Sequence, residues 1–237
     1  MKKKFIIVLD TETCNGIVTD DKLDLSQSLV YDVGWQVVDL HGNVYERRSF
    51  IIYETFVGMK DVMASAYYAE KIPRYKEDLK KGLRKLVTLA TAKKMLAEDV
   101  KKYNVSAISA HNASFDYRAL NNSERYLTKS KFRYFLPYGV EIWDTLKMAR
   151  QTYGQEKGYR VFCEKNGYMT KHKTPRVRLT AEIIYRYITG FDEFVESHTV
   201  LEDVEIETEI LWAILKKHKK LDRALWKRSI FLFAFVN

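Results

Sequence analysis

Residues Phe5 to Leu9 form an unbroken apolar run that ends on Asp10, and Glu12 follows two places later. A continuous apolar run of this length reads as a strand buried on both faces, of the kind found in the centre of an α/β or mixed sheet. Side chains alternate along a strand, so Asp10 and Glu12 share one face while Thr11 and Thr13 share the other. Two carboxylates side by side at the end of a buried strand repel, and each raises the pKa of the other unless a cation lies between them. The simplest such cation is a divalent metal with oxygen ligands. On this fragment alone the other reading, a solvated strand end carrying two ordinary acids, stays open.

The rest of the chain supplies a sheet and its cover. Val30 to Leu40 and Val44 to Tyr53 alternate as strands and join through His41-Gly42-Asn43, the pattern of a hairpin. From about Met59 to Tyr103 the spacing is helical, with Leu83, Leu86, Val87, Ala90 and Leu96 among its apolar positions. A strand over Val105 to Ala110 precedes a helix from Ser114, its expected N-cap, to Leu127. A strand near Val140 to Trp143 leads into a helix from Asp144 to about Tyr153. Residues 154–178 read as irregular, Arg178-Leu179-Thr180 opens a helix to Tyr187, and a last helix is expected over Val200 to His218. Strands alternating with helices, without repeats and with three prolines in 237 residues, indicate one α/β domain with a mixed sheet flanked by helices.

Charge and cysteine usage narrow the partners. Forty Lys and Arg against 31 Asp and Glu leave a net charge of +9, which favours anionic partners such as nucleic acid. Two cysteines, Cys14 and Cys163, are too few for a disulfide framework or a four-ligand zinc site, so a reducing, cytoplasmic setting is expected. The opening Met1-Lys2-Lys3-Lys4 mimics a signal peptide, but the apolar run behind it is too short and ends on an acid. No segment approaches the roughly 20 apolar residues of a membrane span, so no membrane partner is expected. Residues 1–218 are expected to form the domain. In the basic, then apolar, tail of 219–237, the stretch Ser229 to Asn237, "SIFLFAFVN", needs cover from this chain or from a partner.

Two further places carry acids in suitable contexts. In "HNASFD", residues 111–116, Asp116 falls in the first turn of a helix that follows a strand. In "HTVLED", residues 198–203, Thr199 and Glu202 form a capping box that starts a helix at Val200, leaving His198 just outside and Asp203 one turn in. Each alone has an ordinary explanation, a dipole-favoured acid or an exposed histidine. Together, D-x-E closing the first strand, H-N-x-x-F-D after a later strand and H-x-x-x-x-D opening a late helix form an ordered set. That set resembles the DEDDh 3′-to-5′ exonucleases, a superfamily on a ribonuclease H-like fold that includes the proofreading epsilon subunit of DNA polymerase III, ribonuclease T and oligoribonuclease. Asp144-Thr145-Leu146 with Ala149-Arg150 is similar to the family's strand-to-helix step. One departure stands out: Cys14-Asn15 follow the first motif where the family has a small pair such as Thr-Gly, and Gly16 comes one place late.

The resemblance implies metal ligation by Asp10, Glu12, Asp116 and Asp203 and a catalytic histidine at His198. It also implies substrate contacts at Thr11, Thr13, Asn112 and Phe115, and a nucleic acid with a free 3′ end as partner. Two Mg²⁺ or Mn²⁺ ions are expected, with Asp10 bridging both, Glu12 and Asp203 on the nucleophile side and Asp116 on the leaving-group side. His198, neutral near pH 7, would accept the proton of the attacking water. Single-stranded DNA is the expected substrate, RNA the alternative, and a scaffold docked on a polymerase or replication partner the reading from another class. Between Arg150 and Arg178 lie eight Lys or Arg against Glu156 and Glu164, with Tyr153, Tyr159, Phe162 and Tyr168 interleaved. That mixture suits phosphates and stacked single-stranded bases, or equally a solvated loop with buried aromatics.

Overall fold

The computed structural model describes residues 4–14, 17–19, 22–24, 28–64, 66 and 69–226. Expectations that fall on Met1 to Lys3, on Asn15 and Gly16, and on the apolar stretch 229–237 lie outside the described residues. The apolar run becomes strand β1 (Phe5–Cys14), which continues straight through both acids. β2 (Ile17–Thr19) and β3 (Lys22–Asp24) pair as a separate two-stranded ribbon. The expected hairpin is β4 (Leu29–Asp39) and β5 (Val44–Ile52), paired antiparallel.

Short helices α1 (Tyr53–Phe56) and α2 (Lys60–Ala64), a 3₁₀ turn at Ala69–Lys71 and α3 (Ile72–Lys80) follow. The helical reading of 59–103 then fails over Leu83 to Val87. Gly82 takes φ +72°, the left-handed conformation that closes a helix, and Lys85–Val87 form β6, an edge strand parallel to β5. Helix resumes as α4 (Leu89–Tyr103), and β7 (Val105–Ala110) runs parallel to β1. Next come α5 (Ala113–Leu127), β8 (Glu141–Asp144), α6 (Thr145–Gln151), α7 (Lys157–Lys165), α8 (Ala181–Thr189) and α9 (Val200–Leu215). Asn112 with φ 68°, not Ser114, occupies the N-cap position of α5, and α9 ends three residues before His218. Helix α7 corrects the irregular reading of 154–178: Tyr159 and Cys163, one turn apart, are both fully buried.

The six strands lie in the order β6-β5-β4-β1-β7-β8, so β1 is central, as its apolar run predicts. This is the mixed sheet flanked by helices of a ribonuclease H-like fold. Alternation along β1 divides the core in two. Ile6 and Val8 pack with α6 to α9, whereas Ile7 and Leu9 pack with α4 and α5. Each fully buried side chain of this size contributes about 1.5 to 3 kcal/mol. Residues 222–226 lie along β8, where Leu225 donates to the Ile142 carbonyl at 2.8 Å and Asp144 donates to that of Arg223 at 3.0 Å. That backbone pairing covers an edge strand that would otherwise stand open. Cys14 and Cys163 are free thiols, both buried. Among the described residues no helix is long and apolar enough to cross a membrane.

Candidate active site

The division of the core decides which acids meet. Asp10 and Glu12 continue the face of Ile6 and Val8, the face that α9 covers, and there they meet Asp203 and Glu207 of α9. Thr11 continues the opposite face and meets α5, where its Oγ1 donates to Asp116 Oδ1 at 2.8 Å. Just past Glu12 the pairing with β4 slips: Glu12 faces Asp32 but Thr13 faces Val30, so Tyr31 is an extra residue. Such a bulge bends a strand and re-aims its side chains.

Asp10, Glu12, Glu196, His198, Asp203 and Glu207 line a cleft of about 530 Å³. Donor atoms of Glu12, His198 and Asp203 lie within 4.8 Å of one another, and so do those of Glu182, Glu196 and His198. Asn112 stands exposed at the same cleft, with its N–H donating to Asp144 Oδ1 at 3.2 Å. Asp116 is buried beneath, held by Thr11, while Phe115 and Thr13 are half-buried. The structure thus gathers Asp10, Glu12, Asp203 and His198 at one surface, sets Asp116 behind it and gives the Thr11 hydroxyl to Asp116.

So much negative charge in so little water has a cost, and it appears in the acidities. Burial, reinforced by Asp10 and Asp203, pushes Glu12 up to about 10. Burial and the charge of Asp10 push Asp203 up to about 9, and burial lifts Asp10 itself to about 7. Asp116 and Glu207 are raised for the same two reasons, burial first and Asp10 second. Glu196 rises to about 7, again through burial and then Asp10. Asp203 Oδ1 is buried without any hydrogen-bond partner. A cluster of raised carboxylates with an orphaned oxygen is the donor set a hard divalent cation takes. His198 moves the other way, lowered by burial and by Lys71, so its imidazole is neutral at pH 7.

A second set of residues holds this surface in place. Arg84 is fully buried, with Nη1 on Asp32 Oδ2 at 2.8 Å, Nε on Asp78 Oδ2 at 3.0 Å and Nη2 on Glu202 Oε2 at 3.3 Å. Asp32, opposite Glu12 on the face of the sheet that α9 covers, also accepts the Val200 N–H at 3.4 Å and so caps α9 from β4. The capping box therefore works differently from expectation: helix α9 starts at Val200, but the Thr199 hydroxyl bonds the Glu202 carboxylate rather than a backbone N–H. Gly34, opposite Asp10 in β4, lets α9 approach closely. A Cβ there would lie 2.6 Å from Val200 Cγ1 and 2.8 Å from the Arg48 carbonyl. His198 itself has φ 50°, and Lys71 donates to the carbonyls of Ser197 and His198 beside it.

No protein-family model matches the chain, and no curated protein matches it in sequence. Solved structures match it in shape. A full-length 3′-exonuclease aligns with a TM-score of 0.60 over 94% of this chain and 86% of its own, at 12% identity. The nuclease domain of 3′hExo, a DEDDh family member bound to rAMP, gives 0.57 over 93% and 96%, also at 12% identity. A structure of 3′-end-specific recognition of a histone mRNA stem-loop by a 3′-exonuclease gives 0.60 over 94% and 86%, at 12% identity. This chain shares the fold of these structures.

Within that fold several residues in and around the cleft escape a reading by motif. Glu207 lies four residues after Asp203, hence on the same helix face, and its Oε2 accepts the His111 N–H at 3.1 Å. The spacing is visible in "EDVEIE", but two further acids, Glu202 and Glu205, share the same segment and hide it. Glu196 and Lys71 reach the site only through the path of their loops, which no local pattern encodes. Arg84 sits in the bend just before β6, within a stretch read as helix, so its link to Asp32 has no signal in the sequence.

Proposed function

We propose that the protein is a metal-dependent 3′-to-5′ exonuclease that hydrolyses single-stranded DNA from its 3′ end, releasing nucleoside 5′-monophosphates. The convergence of Asp10, Glu12, Asp203 and His198 on one cleft, with the Asp203 Oδ1 unpartnered, carries this reading. Asp10, Glu12 and Asp203 are the residues that would hold a pair of Mg²⁺ or Mn²⁺ ions, with Asp116 supporting from behind Asp10. When bound, such ions supply positive charge for an attacking water and for the oxygens of the scissile phosphate. His198, neutral and on a loop beside these acids, takes the proton as the water oxygen joins phosphorus and the bond to the 3′-oxygen breaks. Asn112, which lines the cleft, would contact the terminal nucleotide; Phe115 and Thr13, expected to do the same, are not among its lining residues.

RNA is the second reading. Two of the similar structures carry RNA chemistry, one with rAMP bound and one concerned with a histone mRNA stem-loop. Digestion of single-stranded DNA, duplex DNA and RNA of one sequence, with Mg²⁺, Mn²⁺ or EDTA, tests both. Stepwise shortening of a 5′-labelled strand that EDTA abolishes is expected, fastest on single-stranded DNA. Equal products with EDTA, or cuts within the strand, would refute the proposal; faster loss of the RNA would transfer it to the second reading.

A further inference from the structure

The acidic cleft has a basic neighbour. Helix α6 carries Arg150 in its last turn, helix α7 carries Arg160, and a short hairpin bridged between Met169 and Val177 carries Arg176. The hairpin is held in register by Thr170 N–H to the Arg176 carbonyl at 2.8 Å and Arg178 N–H to the Tyr168 carbonyl at 3.0 Å. The three arginines line one concave surface of about 400 Å³, and among the described residues no carboxylate lines it with them. Arg150, Val177 and Leu179 line both this surface and the acidic cleft, so they form a shared ridge. Arg160 Nε pairs with Glu164 Oε1 at 3.0 Å on an exposed helix face, whereas among the described residues the side chains of Arg150 and Arg176 have no hydrogen-bond or ion-pair partner.

The aromatics of the same segment serve a different end. Tyr153 and Tyr159 are buried, Tyr159 donating its hydroxyl to the Arg178 carbonyl at 2.7 Å, and Phe162 and Tyr168 pack against the same core. They hold α7 and the hairpin, and Tyr153 and Tyr159 leave no face for a base. What remains offered to a ligand is guanidinium charge, whose planar donors suit phosphate oxygens.

We propose that the surface formed by Arg150, Arg160 and Arg176 is a subsite for the phosphodiester backbone of a single-stranded nucleic acid, upstream of the 3′ end. A strand whose last nucleotide lies against Asp10 and His198 crosses the ridge of Arg150, Val177 and Leu179 and brings its preceding phosphates to the arginines. Recognition there is by charge and not by sequence. The subsite also answers a physical need, because a polyanion approaching Asp10, Glu12, Glu196, Asp203 and Glu207 meets repulsion unless cations stand beside them. The direction of the strand rests on the exonuclease reading; the binding itself does not.

The test separates the two. Binding of a 5′-fluorescein single-stranded DNA, and of the RNA of the same sequence, is followed by anisotropy in EDTA across a range of salt. Each phosphate contact on a single strand contributes about 0.7 to the slope of log affinity against log salt. The variant R160Q/R176Q is expected to lose about 1.4 of that slope, and R176Q alone about 0.7. Between about 0.05 and 0.2 M salt the native protein should weaken about sevenfold more than R160Q/R176Q. A charge-matched control, K129Q/K131Q on the exposed loop before β8, should keep the native slope. Equal slopes for native and R160Q/R176Q, the same loss in the control, or no oligonucleotide binding by the native protein would each overturn the subsite. Failure of the native protein to digest the strand with Mg²⁺, its salt slope intact, would overturn the exonuclease reading and leave the subsite standing.

Discussion

The two sides of the cleft are built on opposite principles. On the acidic side, Asp10, Glu12, Asp203 and Glu207 stand on a central strand and a long helix, half or fully buried, and their charges are unfavourable where they are. On the basic side, Arg150, Arg160 and Arg176 stand on helix ends and a hairpin, exposed to water, where charge costs little. On the proposed function the acids would hold a cation and so must be fixed to a fraction of an ångström, which a rigid framework provides against their repulsion. Arginines that follow a flexible polyanion need reach more than position. Substitutions on the acidic side should therefore change rate, pH response or stability, while those on the basic side should change salt dependence.

The sharpest break of that contrast is at Asp10 and Asp203. Asp10→Asn and Asp203→Asn should each lower metal-dependent turnover about a thousandfold, the size of losing one preorganised electrostatic contact. Their metal-free proteins should melt no lower than the native one, since each change removes charge from a crowded site. Substantial residual turnover in Asp10→Asn would end the metal-centred mechanism. Next in size is Arg84→Met, which strips the compensating charge from buried Asp32 and Asp78 and should cost about 3 kcal/mol or more in urea unfolding. Arg176→Gln should change the same measurement by less than about 0.5 kcal/mol. Comparable losses in the two would erase the distinction between the sides.

A smaller effect is expected at Gly34. Gly34→Ala places a methyl against Val200 and the Arg48 carbonyl, and should cost roughly 1 to 3 kcal/mol while displacing the start of α9. Turnover should then fall more than KM rises, because Asp203 moves with α9. The mildest is the response to pH. Asp10, raised from 3.8 to about 7, holds its proton more tightly folded than unfolded. Its stabilising contribution is complete below pH 4 and is lost as pH rises through 7; Asp203 and Glu12 extend the loss toward 9 and 10. Melting in EDTA should fall by a few degrees between pH 5 and pH 8. The fall should be shallower in Asp10→Asn and reversed by Mn²⁺, and a flat profile would show that the acids do not repel as described.

Residues 150–178 show how composition misleads where fold decides. Basic and aromatic residues alternate there, yet Tyr159 and Cys163 recur one turn apart and go into the core while Arg160 and Arg176 stay out. The helical spacing was present in the sequence, but the surrounding charge made it read as a loop. Leu83 and Leu86 err in the other direction: they fit a helical period, and both are exposed, because Gly82 ends the helix first.

By itself the sequence determined the central strand, the β4–β5 hairpin and the start of α9, and it singled out Asp10, Glu12, Asp116 and Asp203 as candidate site acids. These depend on periodicity, turn residues and motif spacing, which act over a few neighbours along the chain. Only the tertiary structure decided that Asp32 caps α9 and that Arg84 neutralises Asp32. It alone decided that Glu207 and Glu196 join the site, and that the arginines of three separate elements share one surface. The physical reason is range. Hydrogen bonds, burial and charge act over ångströms in space, and the partners they join here, such as Arg84 with Asp32 and Asp32 with Val200, are 52 and 168 residues apart in the chain.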